Sequence, residues 1–278
     1  MENKCVILTG ATSGLGLEVL KDLNKRNIYT ICLVRNTIKL DKVIIENSLN
    51  KDLIESYYYD QSKFETIDDL TNSLRNISKN IYAVIFNSGI YYPKEKLEAN
   101  INKTIKVNYL GTYKLFMVLK NINIITKDTK VLFVTSITSK FVNTKVKLSK
   151  YNHKSNNNYS YSYSKALINE FAYKMIKDGY DVILCDPGVF RSNILSSNDS
   201  GFSNLFVKLG NLFLKLFLPN VKSSKQSVIY PLFNKTKHRY IKPKILNIYG
   251  RMKDYKIPKR FDNDNIIYET NEVLSNIK

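Results

Sequence analysis

Short apolar runs alternate with amphipathic stretches along the chain, and this pattern predicts buried strands connected by helices. Runs this short and this apolar are typical of strands that are covered on both faces. We predict strands at 5–8, 28–34, 54–60, 81–86, 131–134, 181–185 and 245–249. Hydrophobic residues at helical spacing predict helices at 15–25, 62–77, 97–119, 161–177 and 263–277. Alternating elements of these lengths predict an α/β fold, with a doubly wound, mostly parallel sheet and helices on both faces.

A glycine-rich turn follows the first predicted strand directly. It reads Thr9-Gly-Ala-Thr-Ser-Gly-Leu-Gly16 and leads into the first predicted helix. Gly10 allows a tight turn, while Gly14 and Gly16 allow a cofactor and the neighbouring backbone to approach the helix start closely. A pyrophosphate would lie on the N–H groups at that end of the helix. The turn therefore predicts a nucleotide site, and a plain strand–helix loop is the alternative interpretation.

Several other predicted strands are followed by polar or small residues, at the edge where the carboxyl ends of a parallel sheet meet. These residues are Arg35, Asp60, Asn87, Ser136 and Pro187. Ligands of open α/β sheets bind along this edge, so we expect the functional residues to gather there. Arg35 suits the 2′-phosphate of NADP, whereas an acidic residue would suit the ribose of NAD. The sequence therefore favours NADP (NADPH) over NAD, and an ordinary surface arginine is the alternative.

Tyr161 and Lys165 lie four residues apart in a predicted helix, which puts them on one helix face. An ammonium beside a phenol favours the phenolate, so we expect the pKa of Tyr161 to fall below its ordinary value of about 10. Such a phenol can donate or accept a proton near neutral pH. The spacing alone arises often by chance in a chain with 20 tyrosines. Its meaning therefore depends on the residues around it.

The order of these motifs resembles that of the short-chain dehydrogenases/reductases over nearly the whole chain. The matching elements are the glycine turn, Asn87-Ser-Gly89, Asn108, Ser136, Tyr161-x-x-x-Lys165 and Pro187-Gly188. Within that family the chain looks most like the retinol dehydrogenase-like branch. This finer resemblance rests on the 25-residue interval from Ser136 to Tyr161, the pair Arg35-Asn36 and the stretch from Tyr249 to Asp254.

The resemblance implies a Rossmann fold in one domain, 1–278, which interconverts a carbonyl and an alcohol with NADP(H). It implies that Tyr161 transfers a proton, Lys165 lowers the pKa of Tyr161, Ser136 orients the substrate oxygen and Asn108 holds a water. The implied cofactor-binding residues are Gly10, Thr12, Ser13, Gly14, Leu15, Gly16, Arg35, Asp60, Asn87, Gly89, Tyr161, Lys165, Pro187, Gly188 and Ser192. A nucleotide-binding sensor or interaction protein without turnover is the alternative function.

An apolar segment at 202–218 is interrupted by Lys208 and Lys215. It lies in the part of the chain, about 190–225, that the resemblance identifies as a substrate lid. Its apolar face predicts a small lipophilic carbonyl or alcohol substrate, or peripheral contact with a membrane surface. Plain packing on the protein body or on another subunit also accounts for the pattern. The lid and the tail at about 251–278 leave both the oligomeric state and the identity of the substrate open.

The net charge of the chain is +19 at pH 7, with lysine far more abundant than arginine. This composition is typical of an AT-rich genome and predicts a solvated basic surface, and attraction to an anionic membrane surface or to phosphorylated ligands is the alternative. It does not predict a nucleic-acid partner, because no basic segment is interleaved with a nucleic-acid motif. Three cysteines lie in separate apolar runs, and no Cys/His spacing predicts a metal site. The sequence begins on a predicted strand without a signal peptide, so we expect a cytoplasmic protein.

Overall fold

The computed structural model of the chain describes residues 4–75, 77–91, 93, 97–98, 101–143, 146–151, 153–188, 221–243 and 252–277. Two sheets lie in this part of the chain. Their strands are β1 (Cys5–Thr9), β2 (Tyr29–Val34), β3 (Ile54–Tyr58), β4 (Ile81–Phe86), β5 (Leu97–Glu98), β6 (Ile101–Asn102), β7 (Lys130–Val134), β8 (Val182–Cys185), β9 (Arg239–Pro243) and β10 (Met252–Lys256).

The large sheet has the strand order β10-β9-β8-β7-β4-β1-β2-β3, and β5 and β6 pair with each other in a small hairpin. Neighbouring strands of the large sheet are parallel, except that β10 runs antiparallel to β9. From β1 the chain proceeds outward through β2 and β3, and then crosses to β4 and proceeds outward on the other side. The predicted doubly wound, mostly parallel sheet is confirmed.

Helices cover both faces of this sheet. They are α1 (Gly14–Lys25), α2 (Thr37–Glu46), α3 (Phe64–Arg75), α4 (103–121), α5 (Asn157–Lys177), α6 (Val221–Ser224), α7 (Gln226–Phe233) and α8 (Ile266–Ser275). The helices α3, α4, α5 and α8 pack on one face, and α1, α2 and α7 pack on the other. This double cover explains why the central strands, such as β1, β4 and β8, are apolar along nearly their whole length.

The pleat of each strand divides its side chains between two hydrophobic cores. In β1, Ile7 lies in the core beneath α4 and α5, whereas Val6 and Leu8 lie in the core beneath α1. All three are at most 1% exposed. Successive side chains point to opposite faces of a sheet, so a strand covered on both sides needs apolar residues at every position.

The middle helix α4 begins later than the sequence predicts. The short strands Leu97–Glu98 and Ile101–Asn102 pair with each other before α4 begins. The side chain of Asn102 caps α4 by accepting hydrogen bonds from the amides of Thr104 (3.1 Å) and Ile105 (3.4 Å). The predicted start at 97 was wrong because the apolar spacing continues from the hairpin into the helix. Between Lys106 and Gly111 the helix widens into a π-helix, which contains Asn108.

The helix that carries Tyr161 begins at Asn157 instead of at Tyr161, and it ends at Lys177 as predicted. The carboxamide oxygen of Asn156 caps it by accepting a hydrogen bond from the amide of Tyr159 (2.8 Å). Tyr161 and Lys165 therefore both lie well inside a continuous helix. The predicted strand at 245–249 and the apolar segment at 202–218, with most of the lid at 190–225, lie outside the described residues.

The C-terminal helix α8 packs against α4 and α5. The hydroxyl of Tyr109 hydrogen-bonds that of Thr270 (2.5 Å), and the hydroxyl of Tyr113 donates to the carboxamide of Asn271 (2.8 Å). The tail therefore covers the outer side of the middle helices. Among the described helices, none is both long enough and apolar enough to cross a membrane.

Candidate active site

The residues that follow the parallel strands meet along one edge of the sheet. β1 ends at Thr9, β4 at Phe86, β7 at Val134 and β8 at Cys185, and these four strands lie side by side. The glycine turn, Asn87, Ser136 and Pro187 therefore converge at this edge. Arg35 and Asp60 follow β2 and β3 further along the same edge. The sequence-based expectation that these residues gather at the strand ends is confirmed.

The glycine turn after β1 has the backbone that its sequence predicts. Gly10 and Gly14 have φ angles of 73° and 55°, which lie in the left-handed region that favours glycine. A Cβ atom at Gly16 would lie 2.1 Å from the carbonyl oxygen of Gly10, so no side chain fits there. The carboxamide of Asn87 donates to the carbonyls of Thr9 (3.0 Å) and Gly10 (3.3 Å). These contacts fix the turn against the loop that follows β4.

The outer side of the glycine turn is open to solvent. Ser13 and Gly14 are exposed and Thr12 is half-buried. A Cβ atom built at Gly14 has no neighbour within 4 Å. The side chain of Ser13 makes no capping bond at the start of α1, so the helix presents the partial positive charge of its first turn toward open space. Leu15 is buried behind the turn and anchors it in the core.

Arg35 and Asp60 flank the glycine turn on the side of β2 and β3. Arg35 is exposed, so its guanidinium is accessible from solvent. The carboxylate of Asp60 accepts hydrogen bonds from the amide (3.0 Å) and the hydroxyl (2.8 Å) of Ser62, which fix it in a local turn. An exposed cation and a fixed acceptor therefore lie along the same edge of the sheet as the glycine turn.

Lys165 is deeply buried and bonded to the sheet. The residue is 5% exposed, and its Nζ donates a hydrogen bond to the carbonyl of Val134 at the end of β7 (2.8 Å). Nζ lies 5.8 Å from the ring centroid of Tyr161. Burial lowers the pKa of Lys165 to about 8, and the negative charge of Asp186 acts in the opposite direction.

The pKa of Tyr161 differs from the value expected from its spacing to Lys165. Burial raises the pKa of Tyr161 to about 12, although a hydrogen bond with Ser136 favours the phenolate. The expected lowering by Lys165 was wrong in this structure, because the ammonium is bonded to Val134 and burial is the largest effect on the phenol. The phenol of Tyr161 therefore carries its proton at neutral pH, which is the form that can donate to a carbonyl oxygen.

Hydrogen bonds fix the side chains of both Ser136 and Asn108. The hydroxyl of Ser136 accepts hydrogen bonds from the amide (3.3 Å) and the hydroxyl (3.1 Å) of Thr138, so its orientation is set by the short helix Ile137–Phe141. The carboxamide of Asn108 accepts from the amide of Ile90 (2.7 Å) and donates to the carbonyl of Ile90 (3.0 Å). Asn108 also donates to the hydroxyl of Ser164 (3.2 Å) and so connects the loop after β4 to α5.

Gly89 lies beside Asn108 and Lys165. A Cβ atom there would lie 3.2 Å from the Oδ1 atom of Asn108 and 3.7 Å from Nζ of Lys165. The glycine therefore allows the backbone after β4 to approach both side chains closely. On the other side, Gly188 has a φ angle of 72°, and its amide donates to the carboxylate of Asp186 (2.9 Å). Pro187 is buried, and Ser192 lies outside the described residues.

Two residues of this site were missed by the sequence analysis. Asp186, which lies between β8 and Pro187, is 1% exposed, and its charge acts on both Tyr161 and Lys165. Its position directly before Pro187 was the available signal. The ring of Tyr91 lies edge-on to that of Tyr161, with 5.0 Å between the centroids. No sequence signal distinguishes Tyr91 from the other tyrosines of the chain.

The sequence profile of the family described as short chain dehydrogenase matches residues 4–201, which include the glycine turn, Ser136, Tyr161 and Lys165. The chain belongs to the short-chain dehydrogenase family. A curated relative, the oxidoreductase calI of Penicillium decumbens, is 25% identical over 202 residues, which are 71% of this chain and 53% of the relative. Curated relatives that match the chain are longer than it. The match covers 36% of a WW domain-containing oxidoreductase of Gallus gallus and 53% of calI.

Solved structures of short-chain dehydrogenases have the same fold. A glucose/ribitol dehydrogenase from Brucella melitensis superposes with a TM-score of 0.65 at 15% identity, over 84% of this chain and 90% of that one. An alcohol dehydrogenase from Thermococcus sibiricus, in complex with 5-hydroxy-NADP, superposes with a TM-score of 0.58 at 17% identity. That superposition covers 84% of this chain and 91% of that one.

The short-chain dehydrogenase family uses NAD(P), and the residues of this chain fit such a cofactor. Gly14 opens onto free space at the start of α1, and Gly16 allows that helix to approach the turn after β1. The glycine turn therefore leaves room for such a cofactor at the start of α1.

Proposed function

We propose that this short-chain dehydrogenase is an NADP-dependent oxidoreductase that interconverts a carbonyl and an alcohol. The observation that carries the proposal is the meeting of Ser136, Tyr161 and Lys165 at the edge that also holds the glycine turn. A bound nicotinamide cofactor supplies the hydride, which no protein side chain can supply. The protein contributes binding, orientation and proton transfer.

The proposed roles follow from the bonds of each residue. Tyr161, which carries its proton at neutral pH, donates it to the carbonyl oxygen of the substrate, and takes it from the alcohol in the reverse direction. The hydroxyl of Ser136 is oriented by Thr138 and hydrogen-bonded to Tyr161, so it holds the substrate oxygen beside the phenol. Lys165 binds the ribose next to the nicotinamide and stabilises the phenolate as it forms. Asn108 fixes the loop in front of Lys165 and holds the water that connects the lysine to solvent.

Replacing Tyr161 by phenylalanine tests the proton-transfer role. Because general acid–base catalysis contributes about 10²–10⁴-fold, we expect the turnover of Tyr161→Phe to fall by roughly that factor. Binding of NADPH, measured by fluorescence titration, should remain nearly unchanged. Tyr159→Phe is the matched control, because Tyr159 lies on the same helix without a lysine four residues later. Reduction of carbonyls by Tyr161→Phe at the wild-type rate would show that the proposed role is wrong.

The preference for NADP rests on Arg35. Its exposed guanidinium follows β2, where a charge-assisted hydrogen bond to a 2′-phosphate is worth about 1.5–3 kcal/mol. We expect Arg35→Asp to shift the ratio of kcat/KM values for NADPH and NADH toward NADH by roughly tenfold or more. Lys39→Asp, which makes the same charge change on the exposed side of α2, should leave the ratio near that of the wild type. An unchanged ratio in Arg35→Asp would overturn the NADP assignment.

We further propose a lipophilic substrate and membership in the retinol dehydrogenase-like branch. The support is the 25-residue interval between Ser136 and Tyr161 and the apolar segment at 202–218. NADPH consumption with a panel of retinoid, long-chain aldehyde, steroid, sugar and tetrapyrrole substrates tests this proposal. Higher kcat/KM for retinaldehyde and long-chain aldehydes than for polar carbonyls is the expected result, and selective turnover of a sugar would contradict it. Binding of NADPH without turnover of any of them would indicate a sensor.

A further inference from the structure

A buried glutamine reaches from the loop after β3 into the middle of α4. Gln61 is 4% exposed, and its carboxamide nitrogen donates hydrogen bonds to the carbonyl of Val107 (2.7 Å) and the hydroxyl of Thr112 (2.6 Å). Since a carbonyl only accepts, the group that faces Val107 is the NH₂ group. In the part of the chain that the structure describes, the carboxamide oxygen of Gln61 is buried and has no hydrogen-bond partner. A buried acceptor without a partner is unfavourable, so the two donated bonds are what this side chain contributes.

The two donated bonds lie where α4 widens into the π-helix Lys106–Gly111. In an ordinary α-helix, the carbonyl of Asn108 would accept a hydrogen bond from the amide of Thr112, four residues later. In α4 the amide of Thr112 donates to the carbonyl of Tyr109, and the hydroxyl of Thr112 donates to the carbonyl of Asn108 (2.9 Å). The hydroxyl of Thr112 thus joins the carboxamide of Gln61 to the main chain of Asn108.

Gly111 makes room for Gln61 beside the π-helix. A Cβ atom at Gly111 would lie 2.2 Å from the carbonyl oxygen of Gln61 and 2.6 Å from its Cγ atom. No side chain fits at this position while Gln61 keeps its place. Glycine lowers the stability of a helix interior, and the close approach of Gln61 is the packing reason for a glycine here.

Asn108 connects the π-helix to the candidate active site. Its carboxamide bonds to both the amide and the carbonyl of Ile90, and it donates to the hydroxyl of Ser164. That hydroxyl in turn donates to the carbonyl of Tyr161 (2.7 Å). A shift of Asn108 would therefore act on the loop after β4 and on α5, the helix that carries Tyr161 and Lys165.

We propose that Gln61 is a positioning residue for the proposed reaction. Its two donated bonds hold the π-helix in the shape that directs Asn108 toward Ile90 and Ser164. The proposal rests on the function proposed above, because it names a residue that keeps the site of that reaction in order. Gln61 acts through Asn108 and not on the substrate itself.

Hydrogen exchange of the Ile90 amide, measured by NMR on the ¹⁵N-labelled protein, tests this role without turnover. That amide donates to Oδ1 of Asn108 (2.7 Å), so its exchange rate reports whether Asn108 stays in place. Gln61→Met keeps the length of the side chain and removes both donors. We expect it to speed the exchange at Ile90 by roughly tenfold. The amide of Ser88, which donates to the hydroxyl of Thr9 (2.9 Å), should stay within about twofold of its wild-type rate. An unchanged rate at Ile90, or an equal rise at both amides, would overturn the proposal.

A double-mutant cycle tests whether this contact serves the reaction. If Gln61 acts through Asn108, its loss has little further effect once the carboxamide of Asn108 is gone. We expect Gln61→Met to lower the kcat of NADPH-dependent reduction by about tenfold in the wild type. In the Asn108→Ala background it should lower kcat by less than about twofold. An equal loss in both backgrounds, or an unchanged kcat in the single variant, would contradict the role of Gln61.

Absence of turnover in the wild type would overturn the proposed function instead. The exchange rate at Ile90 would then still decide whether Gln61 holds Asn108 in place. The two failures are therefore distinguishable, because only the kinetic cycle depends on the reaction.

Gln226→Met is the matched control for both measurements. It makes the same chemical change on α7, which packs on the other face of the sheet, so the exchange at Ile90 and kcat should stay near their wild-type values. If Gln61→Met does not fold, Thr112→Val takes its place. This variant removes the hydroxyl that joins Gln61 to Asn108 and keeps the shape of the side chain. Wild-type exchange at Ile90 in Thr112→Val would then overturn the proposal.

Discussion

Two glycines of the turn after β1 are required for different physical reasons. Gly14 has a φ angle of 55° but has open space where a side chain would lie. At Gly16, a Cβ atom would lie 2.1 Å from the carbonyl oxygen of Gly10 and 2.5 Å from the carboxamide nitrogen of Asn87. The first glycine is needed for its backbone conformation and the second for the approach of α1 to the turn. Replacement by alanine separates these two effects.

We expect Gly16→Ala to cost more stability than Gly14→Ala. A left-handed backbone costs an alanine about 1 kcal/mol, whereas a methyl group forced against the backbone costs up to about 3 kcal/mol. Urea unfolding of the two variants beside the wild type measures both free energies. NADPH binding should also weaken in Gly16→Ala, because α1 is pushed away from the turn. Equal costs for the two variants would contradict this account.

At the residue scale, the sequence predicted which groups meet but not their electrostatics. A four-residue spacing puts Tyr161 and Lys165 on one helix face whatever surrounds them. The pKa values depend on burial, which the spacing does not contain, and burial moves both residues away from the charged form. Asp186 was also missed. It accepts hydrogen bonds from Tyr240 and Gly188, and the contact with Tyr240, which is far away in the chain, cannot be seen in the sequence around Asp186.

At the scale of single elements, the bounds of the buried strands were predicted better than those of the helices. The strand at 81–86 was predicted with its observed bounds, because a short run covered on both faces begins and ends where the apolar residues do. The helix α2 was missed, although Asn36 accepts a hydrogen bond from the amide of Lys39 (2.7 Å) and Leu40, Val43 and Ile44 form its buried face. The hairpin before α4 could not be predicted, because its two short strands pair only with each other.

The contact between α5 and α8 contains two buried carboxylates. Glu170 of α5 accepts a hydrogen bond from the carboxamide of Asn263 (2.9 Å). Burial raises the pKa of Glu170 from 4.5 to about 7, and the charge of Glu269 adds to this change. The bond to Asn263 and the charge of Arg260 act in the opposite direction. The protonated form of Glu170 is therefore the form that folding favours.

This pKa predicts that the stability of the α5–α8 contact depends on pH. A pKa raised on folding contributes stability that is fully present below 4.5 and is lost as the pH rises through about 7. The contribution is roughly 3 kcal/mol. Glu170→Gln keeps an acceptor for Asn263 without the charge. We expect it to match the wild type at pH 4.5 and to exceed its free energy of unfolding by up to roughly 3 kcal/mol at pH 8.

Urea unfolding at several pH values measures this difference. Glu272→Gln is the matched control, because Glu272 lies on α8 and is exposed. Its free energy of unfolding should follow that of the wild type across the whole range. A constant difference between Glu170→Gln and the wild type from pH 4.5 to 8 would show that the carboxylate does not titrate in this window.

At the scale of the whole molecule, the fold followed from the alternation of elements. Buried strands with helices between them leave few arrangements, since parallel connections put helices on both faces and functional residues at the strand ends. The antiparallel edge strand β10 was not predicted, because its residues Met252–Lys256 are mostly polar and lie at the edge of the sheet. Its pairing with β9 is set by the neighbouring strand and not by its own pattern.

Because α8 covers α4, one contact of the fold can form only late in the synthesis of the chain. Thr270 lies 161 positions after its hydrogen-bond partner Tyr109. At about 5–20 residues per second, the ribosome adds Thr270 roughly 10–30 s after Tyr109. During that interval, the side of α4 that α8 later covers is still uncovered. Chaperones can bind this surface of the nascent chain. The packing of α8 on α4 can therefore form only after α8 has been translated, although the strands β1 to β4 can pair long before.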